Sequence, residues 1–212
     1  MDSINSRIKE EICYHTIDLL KDENLIDEYK KCNSVIKNIE LLEITLKNNK
    51  IDDITIQNII NQYLLKLIPP GTKGNIRGIK FNTIVKKFIE NLNLNKKEYD
   101  VCFEKHIDFF KTDEIPDWYI FNKTNKKIIV GMNQLDLWNG GQQINRGFKY
   151  LVDIQSKETN KKLLCVICNE TQFKSTNNKR YKLFEIGYKN DTLCYLKNLK
   201  NIIFDFFNIK ED

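Results

Sequence analysis

Three oxygen-bearing side chains stand where two short apolar segments can bring them together. Asp117 follows Pro116 at the start of the first segment, and Gln134 and Asp136 lie two residues apart in the second. Polar turn residues at 122–125 separate the segments, a pattern typical of an antiparallel β-hairpin. Because residues two apart on a strand project from the same face, Gln134 and Asp136 can point together, with Asp117 beside them on the partner strand. Converging carboxylate and amide oxygens predict a Mg²⁺ site.

The same residues resemble the active-site pattern of the PD-(D/E)XK nuclease superfamily, which includes many type II restriction endonucleases. Pro116-Asp117 matches the first half of that pattern. In the second half, Gln134-Leu135-Asp136 stands where the family usually has Asp or Glu, any residue, and Lys. A register one residue earlier, Asn133 with Leu135, would put an apolar side chain in the lysine position, so we prefer Gln134 with Asp136. The resemblance covers about residues 76–170 and rests also on the order helix, Pro-Asp hairpin, helix, apolar strand.

The resemblance implies a restriction-endonuclease-like fold and a Mg²⁺-dependent DNA endonuclease that hydrolyses phosphodiester bonds at a short specific site. Asp117 and Gln134 would then hold the metal, and Asp136 would be the third catalytic residue, in the position of the family's lysine. Related nucleases often carry a glutamate near the start of the preceding helix, where this chain has Asn82. Type II restriction enzymes usually act as dimers, so we expect a homodimer on double-stranded DNA.

Two other functions stay open at this point. The missing lysine favours a catalytically inactive DNA-binding protein on the same fold. A helical interaction protein without any site is the third hypothesis, and it would show no salt-dependent affinity for DNA.

Two further segments carry candidate DNA-contacting residues. Gly140-Gly141 opens a polar helix near the mouth of the predicted site, whose side chains could hold phosphates or read bases. The Pro- and Gly-rich residues 68–78 offer basic side chains on a backbone that we expect to be flexible. The predicted DNA-binding residues are Lys73, Arg77, Gln142, Gln143, Arg146 and Lys149. An ordinary solvated surface has the same composition, and that alternative remains open.

The composition suits a nucleic-acid-binding protein without requiring one. The formal net charge is +5 and 30% of the 212 residues are charged. The polar, charged N-terminus is unlike a signal peptide, and no apolar run approaches the roughly 18 residues of a membrane span. We therefore expect a cytoplasmic protein with reduced thiols among its 6 cysteines. Cys165 and Cys168 have a zinc-like spacing, but they fall in an apolar run that favours a buried strand, and no second pair matches it.

The order of periodic segments predicts a mixed α/β fold in which helices flank a central mixed sheet. Residues 1–67 show helical spacing and form an N-terminal helical region, while residues 68–212 form the nuclease-like core. In the core we expect a helix over 79–94, the hairpin, a helix to about 156, strands over 163–168 and 181–188, and a closing helix over 192–207.

Overall fold

The computed structural model describes residues 2–107, 115–135, 151, 159–168 and 172–210. The chain divides into two compact units. One is Asp18–Lys80, and the other combines Met1–Ile17 with Phe81–Asp212. This division differs from the predicted boundary between residues 67 and 68.

In the described residues the helices come first along the chain, and the strands follow with the last two helices among and after them. The helices of the described residues are α1 (Asp2–Glu11), α2 (Tyr14–Leu19), α3 (Ile26–Lys30), α4 (Asn33–Asn48), α5 (Asp53–Leu67), α6 (Pro70–Glu90), α7 (Lys179–Lys189) and α8 (Leu196–Phe207), with a 3-10 turn at Asp22–Leu25. The strands are β1 (Tyr99–Phe103), β2 (Trp118–Asn122), β3 (Ile128–Gln134), β4 (Lys161–Ile167) and β5 (Leu193–Tyr195). No helix in these described ranges is long and apolar enough to cross a membrane.

The unit 18–80 is helical, as its periodicity predicts. Its core contains Leu25, Tyr29, Val35, Leu64 and Ile68. Helix α5 begins after Asp52, whose side chain caps it by accepting a hydrogen bond of 3.0 Å from the Thr55 backbone N–H. A capped helix with one apolar stripe needs a partner for that stripe, which α4 supplies.

The Pro- and Gly-rich segment 68–78 is not a flexible linker, and that prediction is wrong. Residues from Pro70 onward form the first half of α6, a single helix of 21 residues. Proline fits the first helical turn because its missing N–H would have no helical partner there. Because proline and glycine usually mark turns, the sequence predicts a helix that begins only at Ile79, nine residues after its actual start.

A five-stranded mixed sheet with the order β1-β2-β3-β4-β5 forms the centre of the second unit. β1, β2 and β3 are antiparallel neighbours, whereas β4 runs parallel to β3 and β5 parallel to β4. The hairpin of β2 and β3 is the one that the sequence predicts, and the mixed α/β class is confirmed.

The two faces of the sheet carry different side chains. Ile128, Val130, Met132 and Leu163 form one cluster. On the other face, Trp118 lies opposite Gly131 in the pairing of β2 with β3. β4 is buried from Leu163 to Ile167, as expected for a strand that lies between two parallel neighbours and is covered on both faces.

The C-terminal part of the chain corrects two predictions. Residues 181–188 belong to α7, not to a strand, and they bury Tyr181, Phe184 and Tyr188 at helical spacing. The Asn178 side chain caps this helix by accepting from the Arg180 N–H. The predicted closing helix is shorter, because Leu193–Tyr195 first adds a strand beside β4.

Candidate active site

Asp117 lies immediately before β2, with its carboxylate partly buried. Its Oδ1 accepts a hydrogen bond of 2.9 Å from the Asn82 side-chain amide of α6. Its Oδ2 accepts one of 2.6 Å from the Asn133 backbone N–H, near the end of β3. A helix and two strands therefore meet at this carboxylate, and donors on both oxygens favour its charged form.

The two asparagines are themselves connected. Asn133 Nδ2 donates to Asn82 Oδ1 at 3.1 Å. Asn133 Oδ1 accepts from the Trp118 indole N–H, also at 3.1 Å. Trp118, the first residue of β2, is 1% exposed, so this end of the hydrogen-bond chain is anchored in the core.

The sheet leaves room for that indole only because residue 131 is glycine. A Cβ on residue 131 would lie 1.9 Å from Trp118 Cε2, well inside van der Waals contact. The Trp118 ring thus occupies the space above Gly131, and its N–H reaches two residues along β3 to Asn133.

The residue of β3 that meets Asp117 is Asn133, one position before the predicted Gln134. In β3, side chains alternate between the two faces. Gln134 is paired with Ile167 of β4 and shares the face of Met132, whereas Asn133 shares the face of Gly131. The structure therefore brings Asn133, and not the Gln134 side chain, into the hydrogen-bond cluster of Asp117.

Four of the nine predicted site residues, Asp117, Gln134, Lys73 and Arg77, are among the described residues, and the other five are not. Asp136, the third predicted catalytic residue, lies outside them, as do Gln142, Gln143, Arg146 and Lys149. Asn82 stands where the family's glutamate is expected, and it contacts Asp117. Asn133 belongs to the alternative register, in which Leu135 falls in the lysine position.

The described part of the site offers one carboxylate and two amides. In these ranges no group of three or more His, Cys, Asp or Glu side chains could hold a metal ion. Mg²⁺ nevertheless needs only one or two protein carboxylates, since water and substrate phosphates complete its shell. Asp117 fits such a site as one ligand, and each amide oxygen retains a second lone pair after accepting its hydrogen bond.

Lys73 and Arg77, both predicted to contact DNA, lie on α6 in the unit 18–80 and pair with Asp22. Lys73 Nζ lies 2.9 Å from Asp22 Oδ2, and Arg77 Nη2 lies 2.7 Å from Asp22 Oδ1. The Tyr29 hydroxyl donates to the same Oδ1 at 2.8 Å. One carboxylate thus holds both cations at the surface of this unit, and their role in DNA binding stays a prediction.

This ion-pair cluster shifts the titration of both its acids. Burial alone would raise the pKa of Asp22, but hydrogen bonds from Lys73 and Tyr29 and the positive charges of Arg77 and Lys73 lower it overall. Burial, followed by the hydrogen bond to Asp22, raises the pKa of Tyr29 to about 12. Asp22 is therefore charged, and Tyr29 neutral, at physiological pH.

Replacing Asp22 by asparagine is expected to lower the free energy of unfolding of the unit 18–80 by about 2 kcal/mol at pH 7, because three donors lose a charged acceptor. A lowered folded-state pKa contributes stability that is present above the ordinary value of 3.8 and is lost as the pH falls through the lowered pKa. The variant should accordingly lose less stability than the wild type on acidification. Urea unfolding followed by circular dichroism at several pH values measures both effects.

Asp53→Asn is the matched control for this experiment. The Asp53 side chain is 83% exposed and pairs with Lys47 at 3.3 Å, so its loss should cost about 0.5 kcal/mol or less. Equal losses in the two variants would contradict a special contribution from the Asp22 cluster.

Neither a protein-family model nor a curated protein sequence matches this chain. Among solved structures, it is similar to the crystal structure of protein VC1899 from Vibrio cholerae, with a TM-score of 0.40 and 10% sequence identity. The similarity covers 98% of this chain and 56% of the other, so this chain spans a little over half the length of that protein.

Proposed function

We propose that the chain is a Mg²⁺-dependent DNA endonuclease in which Asp117 is a metal ligand. The observation that supports this proposal is the position of one partly buried carboxylate at the junction of α6, β2 and β3, with hydrogen-bond donors on both oxygens. A surface aspartate has no need of such fixing, whereas a metal ligand depends on it, because the ligand must be charged and oriented before the cation arrives. The Pro-Asp hairpin, which resembles that of the PD-(D/E)XK nucleases, supports the same assignment.

In the proposed reaction the role of the protein is to bind the metal ion and to orient the groups around it. Asn82 and the Asn133 N–H hold the Asp117 carboxylate in one rotamer. Bound Mg²⁺ would supply Lewis-acid chemistry, lowering the pKa of a coordinated water and offsetting charge on the phosphorane. Asp136 is the proposed second carboxylate, in the position of the family's lysine. Gln134 is the less favoured amide for a role at the metal, because its side chain lies on the face of β3 away from the Asp117 cluster.

A catalytically inactive DNA-binding protein on the same fold is the second candidate. One specific observation favours it. Asp117 meets the side-chain amide of Asn82 from α6 and the backbone N–H of Asn133 from β3, and both residues carry neutral side chains where an active nuclease of this family would be expected to use acids. Such a protein would keep the carboxylate for structural reasons and bind DNA without cutting it.

We further propose that the substrate is double-stranded DNA and that the protein acts as a cytoplasmic homodimer. A dimer places two sites on the two strands of a duplex, as type II restriction enzymes generally do. The basic residues predicted to contact phosphates, Arg146 and Lys149, would then follow each strand.

The experiment is to incubate the purified chain with mixed plasmid and genomic DNA, with Mg²⁺ or with chelator, and to sequence the ends of all fragments. Fragments that share a short sequence at their ends, and that require Mg²⁺, are the expected result. Salt-dependent binding of intact DNA without fragments would favour the inactive DNA-binding protein instead. A protein that shows neither DNA cleavage nor salt-dependent DNA binding would contradict both candidate functions.

A further inference from the structure

We infer that Trp118 is a positioning residue, whose indole N–H anchors the core end of a hydrogen-bond chain that ends on the Asp117 carboxylate. The inference deepens the proposed function and rests on it for the catalytic consequence. The hydrogen-bond chain itself rests only on the contacts of the described residues.

The direction of the chain follows from the chemistry of its first member. An indole N–H can donate a hydrogen bond but cannot accept one. The group that faces it from Asn133 at 3.1 Å must therefore be the amide oxygen. That choice leaves the Asn133 NH₂ group on the opposite side, where it meets Asn82 at 3.1 Å.

The second amide is fixed in the same way. Asn82 must turn its oxygen to the Asn133 NH₂ group, so its own NH₂ group faces Asp117 at 2.9 Å. Each amide could make hydrogen bonds in either orientation if it stood alone. In this chain both ends fix the amides, because the Trp118 N–H in the core can only donate and the Asp117 carboxylate can only accept, so each amide between them has one orientation.

The end of the chain is an acceptor, which suits a charged carboxylate. With the Asn133 backbone N–H on its other oxygen at 2.6 Å, Asp117 meets a donor from α6 and a donor from β3. If the Asn82 amide turned over, its oxygen would face the carboxylate oxygen, and the two acceptors would repel. Trp118 therefore acts on Asp117 from three hydrogen bonds away.

The variant Trp118→Phe tests this inference, because it keeps an aromatic ring above Gly131 and removes the N–H. In ¹H–¹⁵N spectra, the side-chain amide resonances of Asn133 and Asn82 are expected to move, because Asn133 Oδ1 loses its donor and the two amides are then held from the Asp117 end alone. In Mg²⁺-dependent cleavage, we expect kcat to fall by about tenfold with the KM for DNA unchanged, a typical loss when the hydrogen-bond support of a metal ligand is removed. Thermal unfolding of the variant reports whether the fold is retained.

Tyr119→Phe is the matched control. It also removes one polar hydrogen from an aromatic side chain of β2, and Tyr119 packs against the cluster on the opposite face of the sheet. Its effect on the Asn82 and Asn133 amide resonances and on kcat should be negligible.

Three outcomes decide the matter. Unchanged Asn82 and Asn133 resonances in Trp118→Phe would overturn the hydrogen-bond chain. Shifted resonances with unchanged kcat in an active protein would overturn the positioning role. A wild-type protein that neither binds Mg²⁺ in calorimetry nor cleaves DNA contradicts the proposed function, and in that case the amide resonances alone decide for or against the chain.

Discussion

Replacing Asp117 by alanine is expected to abolish Mg²⁺-dependent cleavage of DNA while leaving DNA binding largely intact. The Asp117 carboxylate is the proposed metal ligand, and both of its oxygens accept hydrogen bonds. Without it, the remaining groups of that cluster are neutral amides and an indole, which bind a divalent cation weakly. Loss of a metal ligand removes the nucleophile-generating step, so the rate should fall by several orders of magnitude. Gel-based cleavage and a fluorescence-anisotropy binding assay measure the two properties separately.

Asp100→Ala is the control for that variant. Asp100 lies on the neighbouring strand β1, with its side chain 52% exposed and paired to Lys123 at 2.8 Å. Its removal should leave the cleavage rate within about twofold of the wild type, since an exposed pair contributes little. Equal activity of Asp117→Ala and wild type would refute the assignment of the metal ligand.

Replacing Gly131 by alanine is expected to destabilise the fold by about 3 kcal/mol. The added Cβ would overlap the buried Trp118 ring, with 1.9 Å to the nearest carbon, so the ring or β3 must shift. For a chain of this size that loss corresponds to a decrease of roughly 6–12 °C in Tm. Differential scanning calorimetry measures it directly. Because Trp118 also binds Asn133, cleavage should fall in the same variant.

The source of this penalty can be checked with two further variants. In a Trp118→Leu background the smaller side chain leaves space, so Gly131→Ala should cost much less there. Gly74→Ala in α6, where a Cβ would meet nothing within 4 Å, should instead stabilise its helix by up to about 1 kcal/mol. A similar destabilisation at both glycines would mean that the Trp118 contact is not the cause.

The hairpin that carries the candidate site could be predicted because its signals are local. Turn residues at 122–125 and the apolar runs on either side determine β2 and β3, and Asn122 accepts hydrogen bonds from two backbone N–H groups of that turn. The register of the site could not be predicted in the same way. Which face of β3 meets Asp117 depends on where the Trp118 ring fits, and that is decided by Gly131 across the sheet.

Gly131 is the residue in the sequence that indicates the register, but its meaning becomes clear only from its contact with Trp118 in the folded protein. Only a small residue can lie opposite a buried tryptophan, so Gly131 marks the face that Trp118 covers, and Asn133 shares that face by alternation. A similar limit explains residues 181–188. Their apolar residues fit a strand or a helix, and the packing of Tyr181, Phe184 and Tyr188 on the core decides for the helix.

Helix α1 belongs to the sheet-containing unit, although the residues 18–80 separate it from the rest of that unit in the chain. Ile4, Ile8 and Ile12 pack in the same core as Phe184 and Tyr195. Asn5 also exchanges two hydrogen bonds of 3.0 Å with the Phe173 backbone.

During synthesis on the ribosome, α1 is therefore made long before its binding partners emerge. The intervening helices have a core of their own and can fold first. During that time the apolar face of α1 has no partner from its own unit and is exposed to solvent or to chaperones. The unit that holds the candidate site can close only after β4, α7 and β5, which supply most of the other residues of the core around α1, have been synthesised.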